Sequence, residues 1–318
     1  MDVLVTGGAG FIGSNLVDSL AASGQDVRVF DELSTGSLDT LRDLGGFGEV
    51  ITGDVRDLDS VRRAVNGVEV VYHLAALPSV ARSVADPLTT HAVNVDGTLN
   101  VLVASRDAGV RRVVYASSSS IYGNSLALPK LEEMPPSPLS PYAASKLSGE
   151  AYCRVFARMY NLETVSLRFF NVFGPRQDPA SEYAAVIPRF IDRMLMGTPP
   201  EIFGDGKQSR DFTYVDNAVH ALRLAALAGP DAVGESLNVG CGEQTTLLQL
   251  VEMINDVLGT SIRPLFLSLR AGDVRHSLAD ISKAHRLIGY RPKVSVSGGL
   301  AKTISWFAHR SPISETAS

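Results

Sequence analysis

The chain has 318 residues, 45% of them hydrophobic and 20% charged, a balance that belongs to a folded globular protein and excludes an intrinsically disordered one. Its 29 Lys and Arg against 34 Asp and Glu leave a net charge of -5, which argues against a nucleic-acid-binding or anionic-membrane surface. Two cysteines, Cys153 and Cys241, are too few for a disulfide framework or a cysteine-built zinc site.

No apolar run reaches the ~18 to 20 residues of a membrane span. The opening residues lack the basic segment and long apolar stretch of a signal peptide, so the expected location is cytoplasmic. Taken in chain order, residues 3–6 predict a buried strand and residues 11–23 a helix. Strands follow at 27–30, 50–54, 68–74, 113–116 and 164–169, with helices at 58–65, 92–108 and 142–160. Strands separated by helices imply parallel pairing with right-handed crossovers. The expected fold class is therefore α/β, a Rossmann-like doubly wound parallel sheet with its ligand crevice at the carboxyl ends of the strands. After about residue 171 Pro and Gly become frequent, and helices at 184–196, 216–228, 247–258 and 297–308 are joined by short strands. Residues 1–170 are expected to form a dinucleotide-binding domain and 171–318 a smaller α/β lobe, with some segments returning to the large domain and 311–318 a frayed tail.

The glycines at 7, 10 and 13 fall between the first strand and the first helix. Missing Cβ atoms let such a turn close and let a pyrophosphate approach the helix N-terminus. Asp31 ends the second strand, where a carboxylate meets ribose hydroxyls and repels a 2′-phosphate. The cofactor expected is NAD rather than NADP. Asp54 and Val55, then Leu74, Ala75 and Ala76, then Asn94 fit strand ends along the same crevice. Asp54 is placed to face adenine, and the small Ala pair lets a cofactor lie against backbone.

Tyr142 and Lys146 stand one helical turn apart, on one face. Ser118 ends the fifth strand in the run 117–120, which leaves the choice of serine open by one position. A free phenol has a pKa of about 10, and lowering it by about three units takes roughly 4 kcal/mol. One cation at about 4 Å supplies about 4 kcal/mol at an effective dielectric near 20. Lys146, together with an oxidised nicotinamide, is expected to make Tyr142 a usable base.

With these residues in place the chain resembles the extended short-chain dehydrogenase/reductases, and within them the nucleotide-sugar 4-epimerases. The resemblance is carried by residues 6–13, 31–36, 73–76, 117–123, 142–146, 168–176 and 210–216 and covers nearly the whole chain. It implies that Tyr142 is the acid/base, that Lys146 binds ribose and tunes Tyr142, and that Ser118 is the catalytic hydroxyl. It adds Phe11, Ile12, Ser34, Thr35, Gly36 and Phe169 to the cofactor contacts. Dehydratases of this group carry Asp-Glu where Ser119 and Ser120 stand here. Without those carboxylates, water elimination lacks proton carriers, which leaves redox-neutral epimerisation.

The resemblance also implies a UDP-sugar anchor in which Asn171, Arg210 and Arg270 meet the pyrophosphate, so that no metal is needed. Phe203 would stack on uracil and Asp273 would contact the uridine. Glucose-restricted 4-epimerases carry a Tyr where Ser277 falls, whereas a serine leaves room for an acetamido group. Ser79, Ser119, Gln177 and Ala185 match positions lining the sugar. UDP-N-acetylglucosamine and UDP-N-acetylgalactosamine are therefore expected, with UDP-glucose and UDP-galactose as a second pair.

Two alternatives stay open. One is a UDP-glucuronate 4-epimerase, with Arg82 or Arg176 on the carboxylate. The other is a catalytically silent NAD-binding scaffold or sensor. None of the six His residues pairs at zinc spacing, and His73 reads as a strand-end residue packed near the cofactor. Glu132 and Glu133 read as a solvated loop pair. Apolar stripes on residues 92–108 and 142–160 imply, through the resemblance, a homodimer built on a four-helix bundle.

Overall fold

The computed structural model describes residues 2–42, 44, 46–179, 185–268 and 275–310. Its centre is a seven-stranded sheet, β1 (Asp2–Thr6), β2 (Asp26–Asp31), β3 (Val50–Thr52), β4 (Val70–His73), β5 (Arg112–Ser118), β6 (Glu163–Phe169) and β7 (Glu235–Val239). The order is β7-β6-β5-β4-β1-β2-β3 and every pairing is parallel. The order in which strands are added reverses between β1 and β4, and that switch point opens a crevice at the strands' carboxyl ends. The central strands are buried on both faces, which is why they read as continuous apolar runs rather than alternating ones.

Helices cover both faces. Leu16, Val17 and Leu20 of α1 (Phe11–Ala21) share one apolar core with α6 (Val215–Leu227). Helices α2 (Leu58–Val65), α3 (Gly97–Asp107) and α4 (Pro141–Met159) bury Val61, Leu102 and Phe156 in a second core on the other face. Three two-stranded sheets lie beyond β6, together with α5 (Val186–Leu195), α7 (Leu247–Leu258) and α8 (Val296–Arg310). The chain crosses between regions more than once, since β7 joins the central sheet and α6 packs against β5 and β6.

The helix expected over 92–108 is not uniform. Residues Ala92–Asp96 wind as a π-helical turn before α3 begins. That wider turn carries Asn94 inward, where its amide accepts from Leu77 N–H at 2.8 Å and donates to Ser145 Oγ at 3.0 Å. The third strand stops at Thr52 rather than residue 54, since Gly53 leaves the ladder to donate to Asp31 O. Helix α4 starts where the sequence dictates: Ser140 Oγ accepts from Ala143 N–H and Pro141 opens the first turn. The tail 311–318 lies outside the described residues.

Candidate active site

The carboxyl ends of the strands open into a cleft of about 760 Å³. The glycine turn forms one end of it. A Cβ on Gly13 would fall 2.1 Å from Gly7 O, and one on Gly7 would fall 2.7 Å from Ala75 N. At Gly10 the same atom would meet only Gly7 O, at 3.3 Å, and otherwise open space. The turn is thus closed by backbone on two sides and open on the third. Helix α1 begins there with no side-chain cap and no acidic residue in its first turn, so its leading N–H groups remain for an anion.

Asp31 lies beside this turn, its carboxylate accepting from Ala9 N–H at 2.9 Å and Leu33 N–H at 2.8 Å. Burial raises it above the ordinary carboxylate value, and the two backbone bonds oppose the shift. A carboxylate has about four lone-pair sites, so acceptor capacity remains for ribose hydroxyls. Glu32 adds a second acid to the same wall, and Arg56 is already engaged by Asp54 at 2.5 Å and Glu32 at 3.7 Å. These charges fit NAD and oppose a 2′-phosphate. Phe11, Ile12, Ser34, Thr35, Val55, Leu74, Ala75, Ala76 and Phe169 line the cleft as expected for a cofactor wall.

Three expected cofactor residues do not reach that wall. Asp54 faces Arg56, Gly36 lies against Ala9, and Asn94 is spent on Leu77 and Ser145. His73 is fully enclosed between Thr6 Oγ1 at 2.7 Å and Thr98 Oγ1 at 2.9 Å. Burial pushes its imidazole down to about 3, so it is neutral.

Ser118, Tyr142 and Lys146 meet at the middle of the cleft. Tyr142 keeps some surface on the cleft, yet its phenol sits deep enough that burial raises it above the ordinary value. The nearby Ser118 hydroxyl, which also lines the cleft, works in the opposite direction. Lys146 Nζ donates to Ala116 O at 2.8 Å and lies over the Tyr115 ring at 5.0 Å. Burial brings its ammonium down to about 8, against the opposing pull of Cys153 and Glu150. In this structure the Lys146 charge is directed at a carbonyl, and Ser118 is the group that favours the phenolate.

Sequence reasoning missed the polar frame under this trio. Glu150, one turn beyond Lys146 on α4, accepts from Arg168 at 2.8 and 2.9 Å, from Ser117 Oγ at 2.5 Å and from Ser236 Oγ at 3.1 Å. Arg168 also donates to the Tyr122 hydroxyl, which in turn donates to Asn238 Oδ1. The i, i+4 spacing from Lys146 was the available signal. Glu132 corrects a second expectation. It is half-buried rather than solvated, because its carboxylate accepts from Asn238 N–H at 2.7 Å across the fold, and burial raises its pKa. Glu133 stays exposed.

At the other end, Ser119, Asn171, Gln177, Ala185, Arg210 and the buried Ser277 line the cleft, joined by Arg176 and His276. A side cavity of about 290 Å³ shares Asn171, Ala185 and Arg210 with it and is also lined by Phe203. Arg210 Nη1 donates to Ser209 O at 2.9 Å and Arg275 O at 3.2 Å. Arg176 is bound to Asp18 at 2.8 Å. Ser79 sits outside the lining and caps the helix Val80–Ala85 through Arg82 N–H. Arg270 and Asp273 lie outside the described residues.

Comparison with known proteins agrees with this architecture. A UDP-glucose 4-epimerase of Mycolicibacterium smegmatis is 41% identical over 315 residues, spanning 98% of this chain and 100% of its own. The solved UDP-N-acetylglucosamine 4-epimerase of Methanobrevibacter ruminantium, in complex with UDP-N-acetylmuramic acid, superposes with a TM-score of 0.92 at 41% identity. The match covers 97% of this chain and 98% of that one. The UDP-glucose 4-epimerase of Thermotoga maritima, solved with UDP-glucose, gives 0.92 at 39% identity over 97% and 99% of the two chains. Residues 3–240 match the model of the NAD dependent epimerase/dehydratase family, and with the glycine turn, the acid beside it and the serine–tyrosine–lysine trio in one cleft, the chain belongs to that family.

Proposed function

We propose that this protein is an NAD-dependent UDP-sugar 4-epimerase that inverts C4 through transient oxidation to a 4-keto sugar. The observation that carries the reading is that Ser118, Tyr142 and Lys146 line the same cleft as the glycine turn and Asp31. NAD, when bound, supplies the ring that takes a hydride from C4 and returns it, and its oxidised form adds a positive charge near the phenol. Tyr142 takes the O4 proton on oxidation and returns it on reduction. Ser118 hydrogen-bonds O4 and favours the charge that develops there. Lys146 holds ribose and keeps a cation within reach of the phenol. Ser119 and Ser120 stand where elimination would need carboxylates, which disfavours loss of water.

Asn171 and Arg210 hold the pyrophosphate and Phe203 borders the uracil in this reading. Between the tested sugars, the small buried side chain of Ser277 on the cleft wall favours an N-acetylhexosamine, with hexoses also accepted. The relatives named above, one acting on UDP-N-acetylglucosamine and two on UDP-glucose, support both members of that pair. Arg176, already matched by Asp18, is poorly suited to a substrate carboxylate, which counts against UDP-glucuronate. A homodimer is part of the proposal, since Tyr152, Val155 and Met159 leave an apolar stripe exposed on α4.

Incubating the NAD-loaded protein separately with UDP-N-acetylglucosamine, UDP-glucose and UDP-glucuronate, and resolving the C4 epimers by NMR, tests the reading. Inversion of the first two is expected. Inversion of the uronate alone would reassign the substrate, and no inversion of any would leave an NAD-binding scaffold.

A further inference from the structure

The cleft wall that faces the nucleotide sugar is assembled from three stretches distant in sequence, and one carboxylate joins them. Asp211 follows Arg210 and is fully buried. Its Oδ1 accepts from Cys241 N–H at 2.7 Å, and its Oδ2 accepts from Gly242 N–H at 3.0 Å and Ala279 N–H at 3.1 Å. The first two donors belong to the turn that leaves β7. The third lies two residues beyond Ser277. The main chain of residue 211 makes a further tie, since its carbonyl accepts from Asn171 Nδ2 at 3.3 Å. Asn171 has φ +32°, a left-handed backbone that asparagine tolerates better than most residues. Thr213 N–H, donating to Asn171 O at 3.2 Å, ties it a second time.

We propose that Asp211 is a positioning residue for UDP-sugar binding: its carboxylate, together with the main-chain bridge in which Ser209 N–H donates to Arg275 O at 3.0 Å and Ser277 N–H to Ser209 O at 3.1 Å, holds Arg210 in place relative to Ser277, and its main chain fixes Asn171. It touches no substrate and moves no proton. Burial raises it to about 6, and Glu243 adds to the rise, so keeping an ionised carboxyl here works against its own solvation. Three convergent peptide N–H groups oppose that cost and also fix the geometry. Gly240 shows how closely the joint is built, since a Cβ there would fall 2.7 Å from Asp211 Oδ2 and 2.7 Å from Ala279 Cβ.

The inference rests on the UDP-sugar reading, and its test separates the two. UDP binding is measured by calorimetry on the NAD-loaded protein, alongside KM and kcat for UDP-N-acetylglucosamine and UDP-glucose. Asp211→Asn keeps the shape but turns an amide N–H₂ toward peptide donors, and is expected to weaken UDP binding and raise KM about tenfold while kcat stays within about twofold. Gly240→Ala displaces the same carboxylate without removing its charge, is expected to give the same signature, and decides the matter should Asp211→Asn not fold. Variants that bind UDP as the parent does, or that lose kcat with KM unchanged, overturn the positioning role alone. A parent protein that binds no UDP overturns the functional reading and this inference with it.

Discussion

The two ends of the cleft are held together by different means. At the glycine turn the closing contacts are backbone against backbone: Gly13 against Gly7, and Gly7 against the chain at Ala75. At the sugar end the closing contacts include side chains reaching across the fold, such as Asp211 to Ala279 over 68 positions and Asn171 to the carbonyl of Asp211 over 40. A backbone-built site tolerates only particular residue types, which leaves a motif. A site built by long-range side-chain ties leaves no spacing to read, because its partners are set by topology. The cofactor end is therefore the one a motif reveals, and in the proposed reading the sugar end is where substrate choice is set.

The largest expected effect lies between the two ends. Tyr142→Phe removes the proton carrier and should lower kcat about 10²- to 10⁴-fold while fold and NAD content persist, checked by steady-state assay and absorbance of the bound nucleotide. Full activity would take Tyr142 out of the reaction. Gly13→Ala breaks the backbone-built end, because its Cβ would sit 2.1 Å from Gly7 O. It should destabilise the protein by about 1–3 kcal/mol and abolish NAD retention, read by thermal melting and cofactor content. Retained NAD at an unchanged Tm would show that the turn is looser than described.

Ser277→Tyr sharpens the contrast at the other end. It should cut kcat/KM for UDP-N-acetylglucosamine about tenfold or more while UDP-glucose stays within about threefold. An equal loss on both sugars would remove the basis for the acetamido assignment.

The smallest effect concerns stability. His73 has an ordinary value of 6.5 and is held down to about 3 by burial, so the unfolded chain takes a proton before the folded one does. Its contribution is full above 6.5 and is lost as pH falls toward about 3, by at most about 1.4 kcal/mol per pH unit. His73→Asn should flatten the fall of Tm between about pH 6.5 and pH 5. An unchanged slope would assign the acid sensitivity to other groups.

Much of the fold was legible because its signals are local. Short continuous apolar runs and the helical spacing between them located β1 to β6 and α1 to α4. The pairing of β7 beside β6 was not legible, since a five-residue strand after a long excursion carries no mark of its neighbour. At the site, the glycines, Asp31, Ser118, Tyr142 and Lys146 follow from residue type and spacing. Asn94, Asp54 and Gly36 share such spacing but are not among the residues that line the cleft; Asn94 is bonded to Leu77 and Ser145, Asp54 to Arg56, and Gly36 lies against Ala9. Glu132 read as a surface charge because its partner is contributed by β7.

The central claim is that C4 is oxidised and reduced inside one cleft without exchange with water. Supplying UDP-glucose carrying deuterium at C4 and recording the epimer by NMR tests it most directly. The account expects the label at C4 of the product, with none released to solvent; label washed out during inversion, or solvent hydrogen entering C4, would contradict it.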